Sequence, residues 1–136
     1  MQVYAQHVDY HELGRGTGYV TPESLVNAGA IVKYLIDLDP DHVSLVAMGY
    51  RTLLSAEEDL LCAEYIANGL TGSKNISEQR IAGLMNTAGL RFFKPENMNF
   101  SPPTDFFLCT MLNRFNFVLK GEKRIDGNID LRKIDL

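Results

Sequence analysis

HVSLVAMGYRTLLSAEEDLLCAEYIANGL, residues 42–70, decides the fold class. Val43–Met48 is an almost unbroken apolar run of strand length, as expected of a strand covered by helices on both faces. Gly49 ends it, and Tyr50–Leu54 reads as the connecting loop. Ser55-Ala56-Glu57-Glu58 then fits a capping box, in which a hydroxyl and a Glu three residues on satisfy free N–H groups. The following helix runs to about Leu70, with Gly69 and Gly72 marking its end. Strand, turn and helix in this order form the basic unit of an α/β protein, and such units bind ligands where strand passes to helix.

On a helical wheel Ala56, Leu60, Ala63, Ile66, Ala67 and Leu70 form one apolar stripe. Asp59 falls inside that stripe, between Ile66 and Leu70, while Glu57 and Glu58 point elsewhere. An ionised carboxylate on a buried face requires a metal, a cation or several N–H donors. Asp59 is therefore either a functional carboxylate or an acceptor for backbone N–H groups of the adjacent loop. Arg51, in the loop, offers an anion contact or is a plain exposed arginine.

Outward from this unit, Thr21-Pro22-Glu23-Ser24 has the chemistry of a helix entry. The helix it predicts ends near Leu38, before Pro40. Its inward face is Ser24, Ala28, Ile31, Leu35 and Leu38, and Asn27 lies within it. A buried amide there either ties down a neighbouring backbone group or serves a site. Before it, Val3–Tyr10 has strand character, and Leu13-Gly14-Arg15-Gly16-Thr17-Gly18 is a glycine-dense loop. That loop is a connector or, through its N–H groups and Arg15, an anion cradle, although it lacks P-loop spacing. Residues 1–23 are the least defined part of a single domain spanning 1–136.

C-terminal to the central unit, Ser77–Ala88 predicts a helix with Ile81, Leu84, Met85 and Ala88 inward. Leu90–Phe93 reads as a short extended piece, and Lys94–Pro103 as a polar loop. Asp105–Leu112 is a short helix with Phe106, Cys109 and Leu112 inward. Phe115–Leu119 and Ile129–Ile134 alternate as strands around Asp126-Gly127, predicting a terminal hairpin.

Composition narrows the function classes. Seventeen acidic residues against 13 basic give a net charge of −4, with Lys and Arg scattered, so nucleic acid is not an expected partner. The longest apolar runs are too short to cross a bilayer, and the first eleven residues do not have the pattern of a secretory signal. Two cysteines, Cys62 and Cys109, in apolar helical contexts read as small buried hydrophobes and point to a reducing, cytoplasmic setting.

SLVNAGAIVKYL (24–35), VSLVAMG (43–49), EEDLLCAEYI (57–66) and DFFLCTMLNRFNFVL (105–119) together resemble the C-terminal half of the 2-phosphosulfolactate phosphatase family, in the family's order. The resemblance implies a three-layer α/β/α fold, with a mixed sheet ending in the hairpin. It also implies Mg²⁺-dependent hydrolysis of a phosphate ester of a sulfonated hydroxy acid, a step that in methanogens belongs to coenzyme M biosynthesis. On that reading Asp59 is a catalytic metal ligand, direct or through water, with Glu58 as a second metal candidate. Asn27 orients substrate or a metal-bound water, and Gly49, Arg51 and Arg15 hold phosphate or sulfonate of a small phosphorylated organic acid. The family's Asp-Val-Leu-Arg-Ala-Thr type segment does not occur in the sequence, and Gly14–Gly18 reads as the remnant of its Thr-x-x-Gly-Thr loop. The expectation is therefore a fragment or a reduced homologue. A non-catalytic domain binding an acidic metabolite or partner is the alternative, and self-assembly into a homo-oligomer that completes a site is a third.

Overall fold

A computed structural model describes residues 2–7, 17–22, 24–47 and 56–136, the first two stretches and position 123 as backbone only. Strand β1 (Gln2–His7) pairs antiparallel with β2 (Thr17–Pro22) and with β3 (His42–Val46). Strand β4 (Phe117–Lys123) meets β2 at Val20–Gly121 and forms the C-terminal hairpin with β5 (Ile129–Asp135), from Phe117 opposite Asp135 to Lys123 opposite Ile129. The order is β3-β1-β2-β4-β5.

The protein thus combines helices with a sheet, as expected, and the hairpin stands where its alternation placed it. The sheet itself corrects two expectations. All pairings among the described strands are antiparallel, so the described sheet is antiparallel rather than mixed. Strand β3 lies at its edge, with Val43 and Leu45 half-buried while His42, Ser44 and Val46 are exposed. The run that reads as a doubly covered strand in fact alternates, and Val46 is an apolar residue on the open side. Thr21 and Pro22, expected as a helix entry, instead close β2, where proline is tolerated at a strand end.

Helix α1 (Ala28–Leu38) begins later than expected and stops where expected, at Asp39 in a left-handed conformation. It packs on α2 (Glu57–Thr71) and on β4, and α2 also touches β3. Ile31 and Ile66 are fully excluded from solvent at this junction. Burying such a side chain contributes about 1.5–3 kcal/mol. The stripe of α2 is Leu61, Cys62 and Ile66, whereas Leu60 is 52% exposed. The wheel places Leu60 inward because it counts apolar residues. The packing is decided by the neighbours, and these lie one position further round.

Helix α3 (Glu78–Gly83) is capped by Ser77, whose hydroxyl accepts the Arg80 N–H. The expected continuation to Ala88 breaks into tight 3₁₀ turns at Leu84–Asn86 and Ala88–Phe93. Leu90–Phe93 is therefore helical rather than extended, and Met85 is exposed rather than core. Helix α4 (Pro103–Thr110) follows. Asn113 fastens the layers together. It adopts a left-handed conformation, its N–H bonds the Leu25 carbonyl, and its side chain bridges the Gly29 N–H and the Tyr65 hydroxyl. A Cβ at position 29 would lie 2.8 Å from the Asn113 oxygen, so this bridge requires glycine there.

Candidate active-site cavity

The N-terminus of α2 carries Glu57, Glu58 and Asp59 in its first turn, where the helix dipole favours negative charge. Ala56 takes the N-cap position without a side-chain bond, so the helix does not start with the expected hydroxyl cap; Ser55 lies outside the described residues. Two of the acids reach across to the 3₁₀ segment instead. The Thr87 hydroxyl donates to Glu57 Oε2 at 2.5 Å, and the Arg91 guanidinium donates to Glu58 Oε1. These contacts strap residues 84–93 over the start of α2.

Beneath the strap is a cavity of about 220 Å³. Ser24 and Leu25 form one edge, Glu58, Asp59 and Cys62 a second, and Arg91 with Phe92 a third. Phe106, Cys109 and Thr110 of α4 close it. Its walls are mostly apolar, with two carboxylates and one guanidinium as the charged groups among the described residues, the usual composition of a small-ligand site.

Asp59 is half-buried at this wall, in line with Cys62 and Ile66. Glu58, expected to point elsewhere, lines the same cavity. Its side chain is 27% exposed, its Oε1 is paired with Arg91, and its Oε2 is buried with no hydrogen-bond partner among the described residues. A buried carboxylate oxygen left so costs free energy that a ligand or cation would recover.

Asn27 stands apart. It is 5% exposed, accepts the Ser24 N–H at 3.2 Å and donates to the Phe117 carbonyl at 3.5 Å, and it does not line the cavity. Both ends of the amide are spent on backbone, one of them on the Ser24 edge of the cavity. Gly49, Arg51 and Arg15 lie outside the described residues. Arg91 escapes sequence reasoning because Leu90–Phe93 reads as a short extended piece. The available signal is a lone arginine inside an apolar, aromatic run.

Cys62 is buried as expected, and Cys109 is not. Although Cys109 is exposed as a residue, its thiol is held above the ordinary range. Desolvation is the largest cause, followed by the carboxylates of Asp105 and Glu58, with Arg91 opposing. Cys109 should therefore be a poor nucleophile at neutral pH, and Cys62 is shielded by burial. Alkylation of Cys109 by iodoacetamide at pH 8 is expected to run several-fold slower than that of a free thiol, with its midpoint displaced to higher pH. A rate equal to that of glutathione would contradict this assignment.

Among the described residues no group of three or more His, Cys, Asp or Glu side chains converges as a metal site. The Glu58–Asp59 pair does suit Mg²⁺, which commonly takes one or two carboxylates and keeps its waters. Glu58 Oε2, buried and unpartnered, is the atom that fits such an ion best. No helix among the described residues is long and apolar enough to cross a membrane.

A family model described as 2-phosphosulpholactate phosphatase matches residues 14–99. A curated protein of Nostoc punctiforme named "Probable 2-phosphosulfolactate phosphatase" is 34% identical over 64 residues, 47% of this chain and 26% of that protein. The match thus spans about a quarter of the relative's length. No solved structure matches the chain.

Proposed function

The chain belongs to the 2-phosphosulpholactate phosphatase family, and from that premise we propose that its cavity serves hydrolysis of a phosphate ester of a sulfonated or carboxylated hydroxy acid. The observation that carries the proposal is the carboxylate pair Glu58 and Asp59 at the start of α2, opposite Arg91, around a cavity sized for a small organic acid. Asp59 would hold Mg²⁺, directly or through water, with Glu58 Oε2 as the second donor. When bound, that ion would offset phosphoryl charge and favour attack by water.

The chain's own groups then divide the remaining work. Asn27 is a positioning residue, fixing the Ser24 edge through the Ser24 N–H. Leu25, Phe92 and Phe106 exclude water from the reacting centre. Gly49, Arg51 and Arg15 remain proposed contacts for phosphate or sulfonate. A three-layer α/β/α arrangement, with α1 and α2 as one outer layer, and a cytoplasmic location belong to the same proposal.

The test is Mg²⁺-dependent phosphate release from 2-phosphosulfolactate by the purified chain. Asp59→Asn is expected to lower it by at least the ~10–100-fold typical of losing a metal-supporting group, in a variant that keeps the parent's circular-dichroism spectrum. Absence of turnover, together with a melting temperature that Mg²⁺ does not shift, would overturn the proposal. The second reading is a domain that binds an acidic metabolite or partner without turning it over. Binding of such an acid without phosphate release would establish it.

A further inference from the structure

We propose that Arg91 is the oxyanion-recognising residue of the cavity, and that Glu58 occupies its guanidinium as a built-in carboxylate until an incoming anion displaces it. The inference rests on the reading of the cavity as a phosphate-ester site and adds to it the manner in which the anion is taken up.

Four observations lead to it. Among the described residues the single side-chain hydrogen bond of Arg91 runs from Nη2 to Glu58 Oε1. An arginine–carboxylate pair at full strength is a two-pronged fork. This one uses one prong, and among the described residues it leaves most of the donors of Arg91 unspent and Glu58 Oε2 buried without a partner. The guanidinium is also held ready. It lies 4.7 Å from the centre of the Phe92 ring, and the Arg91 carbonyl accepts the Asn97 amide at 2.6 Å, which pins the backbone beneath it. Finally, the side chain is 37% exposed, so the bond to Glu58 can be exchanged without unfolding the strap.

The electrostatics give the exchange a direction. With Arg91 on Glu58, the guanidinium charge is offset by the carboxylate, so an incoming phosphate or sulfonate must compete with Glu58 for it. A tetrahedral oxyanion can take both prongs of the Arg91 fork, which the carboxylate does not. Once Arg91 turns to the anion, both oxygens of Glu58 are released beside Asp59, and the pair becomes a stronger cation site. Anion and Mg²⁺ should therefore each strengthen the binding of the other by the same factor, because coupling between two sites is reciprocal.

Calorimetric titration of the full chain with inorganic phosphate, methanesulfonate and Mg²⁺, singly and in pairs, tests this. Mg²⁺ is expected to raise phosphate affinity about 10-fold, within the usual range of such couplings. Arg91→Gln should lose phosphate binding, and Arg91→Lys should retain part of it, since lysine keeps the charge but not the fork. Glu58→Gln should act in the opposite sense, strengthening metal-free phosphate binding several-fold while abolishing the coupling to Mg²⁺. A merely structural ion pair would not respond so, because either substitution would weaken binding. Metal-free phosphate binding by Glu58→Gln that equals or falls below that of the parent protein would overturn the proposal. So would phosphate binding by Arg91→Gln that matches the parent.

If either variant fails to fold, the Arg91 Nε resonance of the ¹⁵N-labelled parent protein decides. A shift on adding phosphate supports the exchange, and no shift excludes it. Preference for phosphate over methanesulfonate assigns Arg91 to the phosphoryl end of the substrate, and the reverse preference assigns it to the sulfonate end. Coupled binding without turnover would sink the phosphatase reading and leave the exchange standing. Turnover with no effect of Arg91→Gln on phosphate binding would do the converse.

Discussion

Replacing Phe106 by alanine is expected to lower folding stability by about 4 kcal/mol and the melting temperature by roughly 12 °C. Phe106 is 4% exposed, and its ring centre lies 5.9 Å from that of Phe92, 5.5 Å from Phe93 and 5.6 Å from Phe107. The Phe93 and Phe107 pairs are edge-on, and such pairs add about 0.5–1.5 kcal/mol beyond area burial. The ring also lines both the 220 Å³ cavity and an apolar groove of about 430 Å³ beside α3. Truncation would join the two, and a space bordered by existing voids has little to collapse upon it, so the cavity cost adds to the transfer cost. Phe107, 46% exposed on the same helix, provides the control, with a cost of about 1 kcal/mol. Thermal and urea unfolding of both variants would check the ranking. A drop of less than about 3 °C for Phe106→Ala would show that α4 is not the keystone of the site.

This dependence on α4 indicates which parts of the molecule the sequence could reveal. The end of α1 before Pro40, the extent of α2 to the left-handed Gly72 and the hairpin around Asp126-Gly127 all rest on local chemistry. Glycine, proline and helical or alternating periodicity report such features directly. What failed was every inference that needed to know the neighbour. VSLVAM is apolar enough for a central strand, and only the pairing of β1 shows that β3 stands at the edge. Thr21-Pro22 suits a helix start as well as the last pair of a strand, and its partner Gln2 decides between them.

At the site, Asp59 is legible because a carboxylate interrupting an apolar stripe demands an explanation. Glu58 is harder to read, because its importance comes from Arg91, 33 residues away on a 3₁₀ segment that gives no periodic signal. Asn27 stands out in the sequence as a polar group inside a buried face, and it is buried. Its geometry gives it a backbone-holding role, and that role reaches the cavity only through Ser24.

Gly89→Ala should be nearly as damaging as the loss of Phe106, for the opposite reason. A Cβ at this buried position would lie 2.4 Å from Phe106 Cε2 and 2.6 Å from the Leu84 carbonyl oxygen. The ring could yield by turning, but the carbonyl belongs to the backbone of the preceding turn and moves only if that turn moves. Overpacking of this kind costs about 3 kcal/mol at its upper end, which corresponds to a melting temperature lower by roughly 10 °C. Gly83→Ala is the matched control, since position 83 has ordinary helical dihedrals and an added methyl there would meet no heavy atom within 4 Å. It should be neutral or stabilising by up to about 1 kcal/mol. Adding Phe106→Leu to Gly89→Ala relieves the clash with the ring and leaves that with the carbonyl. The two changes should therefore couple favourably by about 1 kcal/mol without restoring the parent stability. Strict additivity would mean that the ring is not what confines Gly89. Because Thr87 and Arg91 sit on either side of this glycine and reach Glu57 and Glu58, any backbone shift that admits the methyl must also displace the strap. Gly89→Ala should then weaken phosphate binding even below its melting transition, whereas Gly83→Ala should leave it intact.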